Sequence, residues 1–160
     1  MTEDRTPGQL ALVIDTDTAA RNQLRELLES QGYDVVHASN GLAGLELIQR
    51  LPSSFALVLV ELDLRGLPGS VVVETLRIFR PDLPVLCISG RRATALPAAC
   101  IRKPIDPDEL SMALSSVASW TERWQLEADE DLIADLRARY AGGDLVEAAL
   151  ELSKGLFRED

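Results

Sequence analysis

The stretch Phe55-Ala56-Leu57-Val58-Leu59-Val60-Glu61-Leu62-Asp63-Leu64-Arg65-Gly66-Leu67-Pro68-Gly69 decides the fold. It begins with an unbroken apolar run, the pattern of a strand covered on both faces, and such strands belong to parallel sheets. The run ends in an acid, Glu61, and then enters a loop closed by glycine. In open α/β sheets, ligands and chemistry gather at the carboxyl ends of the strands, so Glu61 is the first candidate functional residue. Asp63 is a second acid, two residues further on and of the same strand parity.

Working outward, short apolar runs alternate with amphipathic segments, the signature of βα units. Leu10 to Ile14 reads as a first strand, and Thr18 to Ser30 as a helix capped by Asp17 or Thr18, with Leu24, Leu27 and Leu28 inside. Tyr33 to Ala38 is a second strand. A helix opened by Ser39 or Asn40 then runs to Leu51, with Leu42, Leu45, Leu47 and Ile48 inside. After the third strand, Ala56 to Val60, a helix is expected from about Ser70 to Phe79. Its Val71-Val72-Val73 start is poor in helix propensity, so packing has to override local preference there.

Val85 to Ser89 and Ala99 to Arg102 complete five strands. Asp106-Pro107-Asp108-Glu109 is a strong helix start, and the periodicity carries that helix on through Trp120 and Trp124. The simplest closure is an α/β fold, a doubly wound five-stranded parallel sheet in the flavodoxin-like order 2-1-3-4-5. The link Gly90 to Ala98 is nine residues, too few for a crossover with a full helix. A shortened or missing fourth helix follows, leaving sheet beside strands four and five to be covered by the carboxyl-terminal tail or by another protein.

Residues 1–9 read as a flexible amino terminus, 10–125 as the α/β domain and 126–160 as a carboxyl-terminal helical hairpin. The hairpin's helices are Leu132 to Tyr140 and Leu145 to Leu156, parted by Gly142-Gly143-Asp144. Tyr140 to Leu150 is similar to the turn and second helix of one tetratricopeptide repeat, a pattern that a generic helical hairpin shares.

Hydrophobic residues make up 46% of the chain and aromatics only 4%, which calls for an aliphatic core. The formal net charge of −10 disfavours nucleic acid and anionic membrane as partners. No apolar stretch is long enough to span a membrane, and Met1 to Gln9 is too polar for a secretory signal, so the expected location is cytoplasmic. Cys87 and Cys100 have two readings, buried thiols or a redox pair. Counted back from Ser89 and Lys103, taken to point at one site, the two cysteines fall on opposite faces, which favours separate thiols. The lone histidine, His37, the absence of a Cys/His metal motif and an acidic Asp15-Thr16-Asp17-Thr18 turn in place of a glycine-rich phosphate loop all argue against an enzyme.

Asp15 and Asp17 ending the first strand, the strand bearing Glu61, Ser89 ending the fourth, and Lys103-Pro104 ending the fifth occur in order across residues 10 to 120. Together they resemble the receiver domain of bacterial response regulators (CheY-like). The resemblance implies two acids that help hold magnesium, an aspartate on the third strand that accepts phosphate, a Ser or Thr that reports it, and a lysine that contacts it. It also implies an aromatic switch residue on the fifth strand and a Lys103–Pro104 bond that can be cis.

Asp15 takes the first acidic position, but Thr16 stands where the second acid belongs, and Asp17 lies one place beyond. Glu61 takes the acceptor position, Ser89 and Cys100 the two switch positions, and Lys103 the lysine position. Glutamate carries its carboxylate one methylene further out than aspartate, and in-line phosphoryl transfer is intolerant of such displacement. Thr16 removes a hard oxygen ligand from the metal. The expectation is a degenerate receiver with no cofactor beyond weak magnesium binding, acting by protein–protein interaction in two-component signalling.

Its partners would be signalling proteins or a second copy of the chain, with the two tryptophans either docking surface or core. The alternative is a stand-alone response regulator phosphorylated on Asp63. Glu61 paired with Lys103 either mimics an active state or is a remnant without signalling bias.

Overall fold

The computed structural model describes residues 9–90, 100–117 and 126–156. Strands β1 (Leu10–Ile14), β2 (Asp34–Ala38), β3 (Phe55–Glu61), β4 (Val85–Ser89) and β5 (Cys100–Arg102) form one sheet in the order β2-β1-β3-β4-β5. Every neighbouring pair is parallel, as the apolar runs require. The described helices are α1 (Thr18–Ser30), α2 (Gly41–Arg50), α3 (Gly69–Phe79), α4 (Pro107–Ser115), α5 (Glu130–Arg139) and α6 (Leu145–Leu156).

Polar residues start the helices where the sequence supplies them. Asp17 accepts from the Ala19 amide at 3.0 Å, and Asn40 from that of Ala43 at 2.8 Å. Asp106 accepts from the Asp108 amide at 2.9 Å, and Asp129 from that of Leu132 at 2.7 Å. Each satisfies a helix-end amide that has no partner within the helix.

The sheet divides two aliphatic cores. Ala11, Val13, Leu57, Leu59, Leu86 and Ile88 face α1 and α4. Leu12, Ile14, Val58, Val60, Val85 and Cys87 face α2 and α3. Helix α2 departs from expectation: Leu42 is exposed, and the buried stripe runs Gly41, Gly44, Leu45, Ile48. A Cβ on Gly44 would run into the Ile14 side chain, so the glycines let this helix lie close on β1.

Helix α3 explains its own odd sequence. Val71, Val72, Val73, Leu76 and Ile78 are all buried, because the sheet covers one side and the hairpin the other. Helix α6 packs on α3 and α2, and α5 packs on α3, bringing Leu136, Leu145, Ala149 and Leu152 into the same core. A helix with so wide an apolar surface has to be covered on more than one side. The tail therefore folds back within the chain, with its main contacts to helices.

Three polar contacts fix that third layer. The buried Glu74 carboxylate accepts from the Glu127 amide with both oxygens at 3.1 Å. Arg137 Nε donates to the Ile78 carbonyl at 3.3 Å, and the Val146 amide donates to Gln49 Oε1 at 3.2 Å. Gly143 turns the hairpin at φ 92°, in the left-handed region that glycine enters without steric cost.

Two further expectations are corrected. Helix α4 is interrupted after Ser115, where the Ser116 amide turns back to the Ala113 carbonyl; the expected stretch through Trp120 and Trp124 lies outside the described residues. Ser115 and Ser116 both donate their hydroxyls to the Met112 carbonyl, a side-chain competition that weakens helix continuation. Cys87 and Cys100 are not separate thiols on opposite faces: they are disulfide-bonded. The ladder pairs Ser89 with Arg102 and Cys87 with Cys100, so taking Lys103 as the partner of Ser89 miscounts parity by one. Residues 91–98 of the link, where a shortened or missing helix is expected, and both tryptophans lie outside the described residues.

Candidate functional site

The carboxyl ends of β1, β3 and β5 converge. Asp15 follows β1 directly and is fully buried; its amide donates to the Ala38 carbonyl at 3.1 Å. Arg21, one turn into α1, donates to the Asp15 carbonyl at 2.7 Å. Glu61 is the last residue of β3 and is also buried. Its backbone is pressed by the start of α3, where a Cβ on Gly69 would collide with the Glu61 carbonyl oxygen. Lys103 follows β5, its amide donating to the Ser89 carbonyl at 2.8 Å, and a cis bond to Pro104 turns the chain away.

The side chains close a compact network. Lys103 Nζ lies 2.8 Å from Asp15 Oδ2 and 3.3 Å from Glu61 Oε1, so one ammonium sits between two carboxylates. Glu61 Oε2 accepts from the Thr16 hydroxyl at 2.9 Å and from the Thr16 amide at 3.1 Å. Asp15 Oδ1 accepts from the Asp17 amide at 2.8 Å.

These contacts set the protonation states. Burial pushes the Asp15 carboxyl above its ordinary value, against the pull of Lys103 and the Asp17 amide. Burial acts the same way on Glu61, but the Thr16 amide, Asp15, the Thr16 hydroxyl and Lys103 together hold it below the ordinary range. Burial would lower Lys103, and its contacts with Asp15 and Glu61 outweigh that and raise it. At Glu61 and Lys103 hydrogen bonds and opposite charge outweigh desolvation and favour the charged form, whereas at Asp15 desolvation wins and disfavours it.

Of the residues singled out in the sequence, Asp15, Thr16, Glu61 and Lys103 meet directly. Ser89 is buried at the end of β4, joined to Lys103 through the backbone. Asp17 is exposed and serves as the α1 cap. Asp63 lies past β3, where its Oδ2 accepts from the Gly90 amide at 3.3 Å. Cys100 is bonded to Cys87 on the face toward α2 and α3. Sequence reasoning missed what Thr16 does. The extra methylene of Glu61 brings its carboxylate to the Thr16 donors, a pairing that motif matching alone does not reveal.

Residues 11–115 match the response regulator receiver domain family. The chain belongs to that family. Relatives of this receiver include the transcriptional regulatory protein ZraR of Klebsiella oxytoca, 29% identical over 69% of this chain and 26% of the relative. The response regulator MprA of Mycobacterium ulcerans is 35% identical over 74% of this chain and 53% of the relative. This receiver thus spans between about a quarter and a half of those two proteins.

Solved receiver domains superpose closely. One from Clostridium thermocellum gives a TM-score of 0.63 at 21% identity, over 71% of this chain and 97% of that one. A CheY-like receiver from Methanospirillum hungatei JF-1 gives 0.61 at 25% identity, over 72% and 97%. This receiver therefore has the CheY-like fold and is a response-regulator module of two-component signal transduction. Among the described residues no helix is long and apolar enough to cross a membrane.

Proposed function

We propose that this receiver works without phosphorylation and acts by binding signalling proteins rather than by catalysis. The observation that carries the reading is the bonding of Glu61, whose two oxygens are already held by Thr16 and Lys103. An acceptor oxygen has to be free to attack a phosphodonor in line, with a divalent cation neutralising charge beside it. Here the ammonium of Lys103 occupies the space between the two carboxylates. Asp17 caps α1, and Thr16 directs its hydroxyl proton at Glu61. That donor set does not suit magnesium, which requires near-octahedral oxygen ligands.

Thr16 and Glu61 make sense as a pair. An acid at position 16 would repel Glu61, whereas threonine adds a hydroxyl donor to the backbone amide already bonded to it. The network accordingly holds the three strand ends in one arrangement, and partner binding becomes independent of a phosphodonor. The net charge of −10 supports a protein partner over nucleic acid. A cytoplasmic setting, with a second copy of the chain as one partner, fits this reading.

The test is intact-protein mass after incubation with magnesium and acetyl phosphate, on wild type, Asp63→Asn, and the double variant Thr16→Asp/Glu61→Asp. The expected result is no added phosphate on wild type and acquisition in the double variant. Stoichiometric phosphate on wild type, lost in Asp63→Asn, would replace this reading with a phosphorylated switch centred on Asp63.

A further inference from the structure

Three features lie outside the network just described. A cavity of about 350 Å³ lies where the hairpin turn meets the ends of α2 and α3, lined by Phe79, Arg80, Tyr140 and Asp144 among others. His37 Nε2 is buried without a hydrogen-bond partner, beside Glu46 and Arg50. The disulfide between Cys87 and Cys100 joins the last two strands. The first two offer no group that selects a ligand. The third is a defined chemical site at a mechanically sensitive place.

Strand β5 is only three residues long, and its ladder with β4 consists of the pairs Cys87–Cys100, Ile88–Ile101 and Ser89–Arg102. The disulfide thus ties β5 to β4 at one of its three paired positions, in addition to the backbone bonds, which include that from the Lys103 amide to the Ser89 carbonyl. Lys103 comes immediately after β5, and its ammonium is the cation that joins Asp15 to Glu61. The Cα atoms of the two cysteines are 4.6 Å apart, a separation that the parallel ladder imposes with or without the bond. The thiols of a reduced form therefore stay facing each other, placed to close again.

We propose that Cys87 and Cys100 form a reversible thiol–disulfide couple that sets how firmly β5, and with it Lys103, is held against β4. The reductant is a dithiol. Cys87 is 2% exposed and Cys100 is half-buried, so the attacking thiolate reaches Cys100 Sγ. A new bond forms there as the Cys87–Cys100 bond breaks, and Cys87 leaves as a thiolate that takes a proton. The second thiol of the reductant then attacks its own mixed-disulfide sulfur, freeing Cys100. Two electrons and two protons pass to the pair, and the reductant leaves as a disulfide.

Reduction replaces a bond of about 2 Å with a sulfur–sulfur contact well over an ångström longer, and the short edge strand yields more readily than β4, which is paired on both sides. The oxidised form holds Lys103 on its two carboxylates, and the reduced form loosens it. This site is independent of whether Glu61 or Asp63 takes phosphate, since it concerns the thiols and Lys103 alone.

The full chain is equilibrated across mixtures of reduced and oxidised dithiothreitol, quenched with iodoacetamide and weighed intact. The Lys103 amide is followed in parallel by 15N NMR. The expected result is a single two-electron transition between zero and two alkyl groups, reversed on reoxidation, with the Lys103 resonance moving along the same curve. Cys100→Ser then fixes the resonance at its reduced position under all mixtures. Three outcomes overturn the proposal: a bond that survives full reducing power, thiols that never close, or a transition that leaves Lys103 unmoved. The last would make the bond a structural staple only.

Discussion

Thr16 and Glu61 depend on each other. Removing the hydroxyl in Thr16→Ala leaves the backbone amide as Glu61's donor, so the expected loss is about 1 kcal/mol, the net value of one hydrogen bond. Thr16→Ser should recover most of it, read as the urea midpoint. Lys103→Met is more damaging, because it leaves Asp15 and Glu61 buried without their cation; the expected cost is about 3 kcal/mol. The pH dependence carries the same signature. Lys103 is raised above the ordinary lysine value of 10.5, so its stabilisation is complete below that value and lost as pH climbs through the folded one. Thermal melts of wild type should fall faster above pH 10.5 than those of Lys103→Met. Equal slopes would mean that the ammonium does not hold the site together. On the acid side the contributions oppose: the depressed Glu61 loses stability as pH falls, while the raised Asp15 gains it.

The helices and strands that frame the site are individually testable. Gly69 allows α3 to begin directly against the Glu61 carbonyl, and a methyl there has to displace backbone. Gly69→Ala should cost about 1–3 kcal/mol, the usual range for forced overpacking, and should disturb Glu61 resonances before those of α1. Much of this level was legible in the sequence. Five strands, their order and the caps follow from apolar runs and from Asp17, Asn40 and Asp106. What escaped was set by distance rather than by pattern. Gly44 is inward-facing because Ile14 approaches it, which no helix periodicity records. The cysteine pairing escaped because a one-residue offset at the end of β5 reverses parity, and only the ladder reveals which residue Ser89 faces.

At the scale of the molecule, the hairpin α5–α6 makes the receiver a three-layer structure on one side. Its apolar contacts with α3 predict that hairpin and sheet unfold together. Leu136→Ala, at a fully buried position, should lower stability by about 2–5 kcal/mol while leaving a single transition by both fluorescence and circular dichroism. Two separated transitions would mark the hairpin as an independent unit. The valine run in α3 pointed to burial on more than one side, with a narrow stripe of Ser70, Glu74 and Arg77 left polar. The occupant of its outer side was not legible, since neither hairpin helix announces which surface it covers. The buried Glu74, an acid inside that run, was the one available clue to the docked tail.

The account's central claim is that the network of Asp15, Thr16, Glu61 and Lys103 holds one state irrespective of phosphodonor. The direct measurement is a 1H–15N spectrum of the full chain recorded with magnesium alone and with magnesium plus beryllofluoride. The account predicts superimposable spectra at Thr16, Glu61, Ser89 and Lys103. Saturable shifts at those residues, spreading into α3 and β5, would contradict it and show a receiver that still receives.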